Sequence, residues 1–326
     1  MTWNNSERSY AKLNLFLKLL FKREDNYHEL SSLFCKIDFF DEITFETAKK
    51  DELTADLLVP EPFKATLAPV FLGNQKEQNL ILQTVKKVRQ LFEKRVPGLF
   101  PAGLKIHLTK KVPSPAGLGG GSANAAVLFR KAMQLLPEVK ANDREDLREE
   151  INLLAMKTGA DIPFFLQDSA AIVTGIGEKL EPVSVAEHFG YLIIPPILCS
   201  TGSMFSQLKK PLQTEIDSQI YIRKAFKEAL HLVDFINKSP GDMIENHASS
   251  NNKLANDFRP LVIEQNLPLQ AFWTRLSELS ASGWLANMTG SGSAFFCLHR
   301  DQESCSEIES LRQEYSHWQW YKIKTI

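Results

Sequence analysis

No apolar run in this chain approaches the ~20 residues needed to span a bilayer. The longest candidates are short: Leu13–Leu17 is closed by Lys18, and Tyr191–Cys199 is broken by Pro195 and Pro196. The N-terminus lacks the order of a signal peptide, because Arg8 and Lys12 precede only a short apolar run and no small-residue cleavage site follows. A cytoplasmic protein is expected. Cysteine is equally scarce. The four, Cys35, Cys199, Cys297 and Cys305, lie far apart with no C-x-x-C pair, which argues against a disulfide framework or a zinc site and for buried thiols in a reducing compartment. Charge of one sign is missing too: 38 Lys and Arg against 39 Asp and Glu leave a net charge of −1, so no global field gathers nucleic acid or an anionic membrane. Any anion site must be local. Internal repeats and low-complexity tracts are absent, and 44% hydrophobic with 24% charged residues is ordinary globular composition. At 326 residues the chain exceeds the usual size of a single core, which favours two domains. The expected division is 1–170 and 171–326, in a monomer or weak homodimer.

What is present falls into clear elements. Residues 9–45 are apolar or β-branched except for "KREDNYHEL", as two strands joined by a polar loop would be. "NLILQTVKKVRQLF" places Ile81, Val85, Val88 and Phe92 on one helical face, ended by Pro97 and Gly98. "GLKIHLTKKV" alternates Leu104, Ile106 and Leu108 with Lys105, His107 and Thr109, a half-buried strand. "ANAAVLFRKAMQLL" and "REDLREEINLLAMKT" read as helices, the second capped by Gly159. "ADIPFF" reads as a short loop. The stretch 207–252 is polar and irregular around the helical piece "IRKAFKEALHLVDFI", and "SPGDMIENHASSNN" within it is loop-like.

Between the strand and the Ala-rich helix lies "KKVPSPAGLGGGSANAA", with Gly117, Gly119, Gly120 and Gly121 followed by Ser122. Each glycine costs roughly 0.5–1 kcal/mol against alanine in regular structure, so such a cluster signals that bare backbone is required. A glycine-rich turn leading into a helix N-terminus presents N–H groups and about half a positive charge, which suits phosphate. It is not a Walker loop, because Ser122 stands where that motif needs lysine, and the third glycine of a dinucleotide fingerprint is missing at the same position.

The pattern Pro113-x-x-x-Gly117-Leu118-Gly119-Gly120-Gly121-Ser122-x-Asn124-Ala125 resembles the phosphate loop of the GHMP kinases. "SYAKLNLFL" and "MTGSGSAFF", with Gly290, Ser291 and Gly292, resemble that superfamily's first and third motifs. The resemblance is dense in the N-terminal half and over 285–298, and weak over 207–255. It implies a two-domain α+β fold, with an N-terminal nucleotide domain like ribosomal protein S5 domain 2 and a C-terminal ferredoxin-like substrate domain. It also implies ATP and Mg²⁺ as cofactors. "REDNYHEL" and "GADIPFF" are most similar to the branch that phosphorylates the 2-hydroxyl of a cytidine diphosphate-linked methylerythritol in isoprenoid precursor synthesis. Kinases for mevalonate, homoserine or sugars, and a non-catalytic nucleotide-binding paralogue, are the alternatives.

Residue by residue, the resemblance implies that Asp161 accepts the hydroxyl proton; read alone, this Asp before Pro163 is a turn or helix-cap residue. Lys12 sits in an apolar strand pattern, where a buried ammonium needs a carboxylate, with Asp161 the expected partner and an exposed strand edge the alternative. Lys110, Pro113, Gly117, Leu118, Gly119, Gly120, Gly121 and Ser122 are expected around the nucleotide. Asn79 and Lys110 are placed near the adenine, or else are a polar residue opening a helix and a solvated strand end. Tyr27 and His28 offer an aromatic face and an imidazole to a cytosine, with Asn14, Thr201 and Phe205 also on the substrate side. No metal ligand is assigned. Asn26 stands where glycine is usual in the family, and asparagine tolerates the left-handed conformation such a turn needs. Pro115 stands where a glycine or another small residue is frequent in the family, and it removes one N–H donor.

Overall fold

The computed structural model describes residues 3–208, 215–238, 254–301 and 304–326. In chain order the strands are β1 (Asn5–Lys22), β2 (His28–Ala48), β3 (Glu52–Leu57), β4 (Gly103–Lys110), β5 (Ala170–Gly175), β6 (Lys179–Val183), β7 (Phe189–Ile194), β8 (Leu285–Met288), β9 (Phe295–His299) and β10 (Gln319–Lys324). The helices are α1 (Phe63–Phe71), α2 (Leu80–Arg95), α3 (Gly120–Gln134), α4 (Ala141–Thr158), α5 (Ile162–Leu166), α6 (Thr201–Gln207), α7 (Glu215–Ile236), α8 (Arg259–Glu264), α9 (Leu267–Glu278) and α10 (Ser306–Glu314). The loop-like stretch 239–252 and part of 207–255 lie outside the described residues.

The chain forms two compact units, neither a continuous segment. The first holds Met1–Ala11, Phe39–Ser114 and Gly119–Asp168; the second holds Lys12–Asp38, Pro115–Leu118 and Ser169–Ile326. The long strands β1 and β2 therefore each contribute one part to either unit.

In the first unit the latter part of β2 pairs antiparallel with β4, from Glu42↔Thr109 to Ala48↔Gly103, and β3 runs parallel on the other side of β4. Leu104, Ile106 and Leu108 are fully buried, as their alternation requires. Helix α3 packs against α2, α4 and α5, and residues from Ala123 to Phe129 are buried without a gap. Alanine is frequent there because neighbouring helices close in on several faces. Helix α5 corrects the loop expected at "ADIPFF": five apolar residues are too few for a helical period, and Pro163 is harmless in a first turn, where its missing N–H has no intrahelical acceptor.

In the second unit the first part of β2 pairs with β5, and β5 with β6. A separate antiparallel sheet runs β10-β7-β9-β8. Helix α9 lays Phe272 among Phe295, Tyr315 and Trp318, with ring centroids 5.5, 5.0 and 4.7 Å away. Cys35, Cys199 and Cys297 are buried free thiols, while Cys305 is partly exposed. Burial pushes the Cys35 thiol up to about 12 and Cys199 up to about 11, which removes both as thiolate nucleophiles. Among the described residues no helix is long and apolar enough to cross a membrane.

Candidate active site

The glycine stretch is divided between the units at Leu118 and Gly119, and its glycines answer different demands. In the second unit Gly117 has φ +78°, and a Cβ there would stand 2.1 Å from the Thr289 carbonyl oxygen. Gly290, at φ +56°, would place a Cβ 2.8 Å from both Cα and O of Gly117. Two backbones thus lie directly on one another, which only glycine permits at either position. The contact is laced by hydrogen bonds. Lys12 N–H donates to Leu118 O at 3.0 Å, Ala294 N–H to Ala116 O at 3.4 Å, and Thr289 Oγ1 to Gly117 O at 3.3 Å.

In the first unit Gly119 occupies the N-cap of α3 in the left-handed region, φ +69°, and no side chain caps the helix. The helix begins at Gly120, three residues before the run from Ala123 that reads as helical, so two of the glycines form its first turn. Gly120 is pressed on from below: a Cβ would meet Val112 Cγ1 at 2.8 Å and Lys110 Nζ at 3.0 Å. Gly121 faces open space, with nothing within 4 Å of an added Cβ. The first-turn N–H groups have no intrahelical acceptors, so an uncapped, unobstructed helix N-terminus is left to receive an anion. Ser122 stands beside it, with its Oγ 3.7 Å from the Cβ position of Gly159.

Asp161 follows at the N-cap of α5, but its side chain makes no capping bond, so the capping alternative is set aside. Lys12 is buried at 4% exposure, as its apolar strand pattern predicts, and is not on an exposed edge. Its ammonium donates to Asn14 Oδ1 and lies 4.6 Å over the Phe34 ring. Asp161 belongs to the first unit and Lys12 to the second. The Asn14 side-chain amide is held at both ends, its Oδ1 by Lys12 and its Nδ2 by donating to Ser32 Oγ at 2.9 Å, and the backbone N–H of Asn14 donates to Thr289 Oγ1 at 2.9 Å. Ser32 carried no signal in the sequence, being one hydroxyl among many, and Thr289, though inside "MTGSGSAFF", was not singled out there.

Lys110 is not the solvated strand end that was one of its two readings. It is 1% exposed and ion-paired at 2.5 Å with Asp41, which is itself fully buried. Asp41 Oδ1 also accepts the N–H groups of Lys111 at 2.7 Å and Val112 at 2.8 Å. Asn79 is a helix cap, its Oδ1 accepting from Ile81 N–H at 2.9 Å. Pro113 lies buried just before the glycines.

In the loop expected to meet the substrate, Asn26 sits at φ +67°, the left-handed turn anticipated for it. The turn is closed by Arg23, whose N–H donates to Tyr27 O at 2.8 Å and whose guanidinium bridges Asp25 and Glu29. Tyr27 is left 59% exposed, an aromatic face open to solvent. His28 and Phe205 are brought together, ring centroids 5.4 Å apart and tilted by 31°. Thr201 Oγ1 meets Ser291 Oγ at 2.9 Å, joining α6 to the third glycine-rich stretch. Among the described residues no group of three or more His, Cys, Asp or Glu could by itself hold a metal ion.

Residues 79–169 match the model of the GHMP kinases N-terminal domain. The chain is 34% identical to the 4-diphosphocytidyl-2-C-methyl-D-erythritol kinase of Leptospira interrogans, over 95% of this chain and 97% of that protein. It is 30% identical to the enzyme of the same name from Leptospira biflexa, over 92% of each. Its fold is similar to a crystal structure of 4-(cytidine 5'-diphospho)-2C-methyl-D-erythritol kinase, with TM-score 0.63 at 22% identity, covering 98% of this chain and 99% of that one. It is also similar to homoserine kinase from Cytophaga hutchinsonii, with TM-score 0.60 at 15% identity, covering 98% of this chain and 94% of that one. An α+β chain with the superfamily's three glycine-bearing or lysine-bearing motifs, and relatives of one name along nearly its whole length, belongs to the 4-diphosphocytidyl-2-C-methyl-D-erythritol kinase family.

Proposed function

We propose that this protein transfers the γ-phosphoryl group of ATP to the 2-hydroxyl of 4-diphosphocytidyl-2-C-methyl-D-erythritol. The observation that carries the reading is the uncapped N-terminus of α3, open above Gly121, in a chain of this family. Phosphoryl transfer demands positioning and charge neutralisation more than covalent help. Backbone N–H groups from Gly119 to Ser122 hold the β- and γ-phosphates, with Lys110 and Asn79 on the adenine side. The bond from the substrate 2-oxygen to the γ-phosphorus forms as the bond from that phosphorus to the β,γ-bridging oxygen breaks, and ADP leaves. Asp161 takes the hydroxyl proton, and the Lys12 ammonium offsets the charge gathering on the transferring group. Tyr27, His28 and Phe205, all in the second unit, hold the cytosine.

Mg²⁺ suits this donor set, because it is commonly held by substrate phosphates with one or two protein oxygens and not by an all-protein cage. The Ser122 hydroxyl is the protein oxygen that would hold it. When bound it would neutralise phosphate charge.

The test is direct. Purified protein given ATP, Mg²⁺ and the cytidine substrate is expected to release ADP and the 2-phosphorylated product in equal amounts. Folded protein that turns over mevalonate or homoserine but not the cytidine substrate would overturn the assignment.

A further inference from the structure

Behind the third glycine-rich stretch lies a side chain that the functional reading does not use. Asn256 is 3% exposed, and its Nδ2 donates to both Met288 O at 2.7 Å and Gly290 O at 2.9 Å. Its Oδ1 accepts the Phe258 N–H at 2.9 Å. Both donors and the acceptor of one amide are thereby engaged, an arrangement that aspartate, which cannot donate when ionised, does not reproduce.

The short segment around it is anchored to β1 by a parallel bridge. Leu17 N–H donates to Ala255 O at 2.8 Å and Asp257 N–H to Leu17 O at 3.0 Å, while Asp257 Oδ2 accepts the Leu19 N–H at 2.9 Å. The turn it braces joins the end of β8 at Met288 to the start of β9 at Phe295, so residues 289–294 lie outside the sheet ladder. One face of that turn lies on Gly117; the carbonyls of its other face are held by Asn256. Two residues on, Phe258 sets its ring edge-on against Phe205 at 4.9 Å, and Phe205 faces His28.

We infer that Asn256 is a positioning residue: its amide sets Gly290 against Gly117, and with Phe258 it links the entry to the phosphate loop with the aromatic residues that receive the nucleobase. The inference rests on the kinase reading above. It gives a reason for a buried amide at this place, because two carbonyls turned away from any strand partner need donors.

The experiment measures direct binding of a non-hydrolysable ATP analogue and of cytidine 5'-diphosphate, by calorimetry, to folded full-length variants well below their melting temperatures. Asn256→Asp is expected to weaken both ligands about tenfold, the scale of losing a buried hydrogen bond. A purely structural residue would lower the melting temperature and leave both dissociation constants within about twofold of the unsubstituted protein; that result overturns the inference. Should Asn256→Asp not fold, Asn256→Ser, whose hydroxyl keeps one donor, is read by the same criterion. Phe258→Leu leaves the amide contacts in place and is expected to weaken cytidine 5'-diphosphate alone. Unchanged binding of that ligand in Phe258→Leu overturns the link to the nucleobase residues. Failure of the kinase reading is distinct: the unsubstituted protein would then form no ADP.

Discussion

Replacing Asp41 with asparagine strands the Lys110 ammonium in the interior of the first unit. The carboxylate is fully buried, the ammonium is 1% exposed, and they meet at 2.5 Å, so removing one charge leaves the other without its counter-ion and without water. Breaking a buried pair in this way costs about 3–5 kcal/mol, against total stabilities of about 5–15 kcal/mol. Lys110→Met is expected to cost less, since the remaining carboxylate keeps the N–H groups of Lys111 and Val112. The double variant Asp41→Asn with Lys110→Met should then be more stable than the sum of the single losses, with a coupling of about 0.5–3 kcal/mol. Urea unfolding followed by far-ultraviolet circular dichroism, compared at equal slopes, measures each term. An Asp41→Asn loss below about 1 kcal/mol, or strict additivity, would refute the reasoning. The same pair carries a functional readout. Lys110 Nζ lies against Gly120 at the start of α3, so Lys110→Met should raise KM for ATP more than it lowers kcat.

Gly117→Ala forces a left-handed residue to carry a Cβ that would stand 2.1 Å from a backbone oxygen, so the Thr289 turn must move; activity should fall at least about a hundredfold, the scale of a ~1 Å misplacement of reacting groups, and near-normal kinetics would contradict the backbone contact. Asp161→Asn should abolish turnover while leaving affinity for the ATP analogue nearly intact; equal losses of both would make Asp161 structural. Burial first, then Arg300 and His299, holds the His188 imidazole below its ordinary value of 6.5 despite its bond to Ala186 O. From pH 6.5 downward the unfolded chain therefore takes up a proton that the folded one refuses, and stability falls as pH drops through the folded value. His188→Gln should flatten that part of the stability profile, and an unchanged slope would contradict the assignment.

Much of the fold was legible because its signals were local. The hairpin at "KREDNYHEL", the apolar face of α2 and the left-handed turn at Asn26 each needed only neighbouring residues to be recognised. Lys110 shows where such reading stops. In β4 the buried parity runs Leu104, Ile106, Leu108 and then Lys110, and in β2 it runs Phe39, Asp41, Ile43 and Phe45. Alternation alone puts both charges inside, and the pairing of these strands puts them together. Residue type suggested a solvated strand end, whereas position required a buried ion pair. Helix α5 escaped for the opposite reason, since five residues carry no period to detect. Asn256 gave no signal because its partners are backbone carbonyls, which every residue possesses.

The four glycines that mark this family in the sequence do not share one purpose. Gly117 is required by the Thr289–Gly290 backbone, Gly119 by a left-handed cap, and Gly120 by Val112 and Lys110, while Gly121 faces open space. Phosphate chemistry needs unobstructed N–H groups, yet most of the bare backbone here is used to bring protein against protein. The motifs recognised separately along the chain then have a physical reason to occur together. Lys12 N–H binds Leu118 O, Asn14 N–H binds Thr289 Oγ1, and Gly117 touches Gly290, all within the second unit. A side chain at either contacting glycine would part these strands of backbone before it reached any ligand. Substitutions at Gly117 and Gly290 should therefore damage folding and affinity together, whereas a substitution at Gly121 acts on the anion alone.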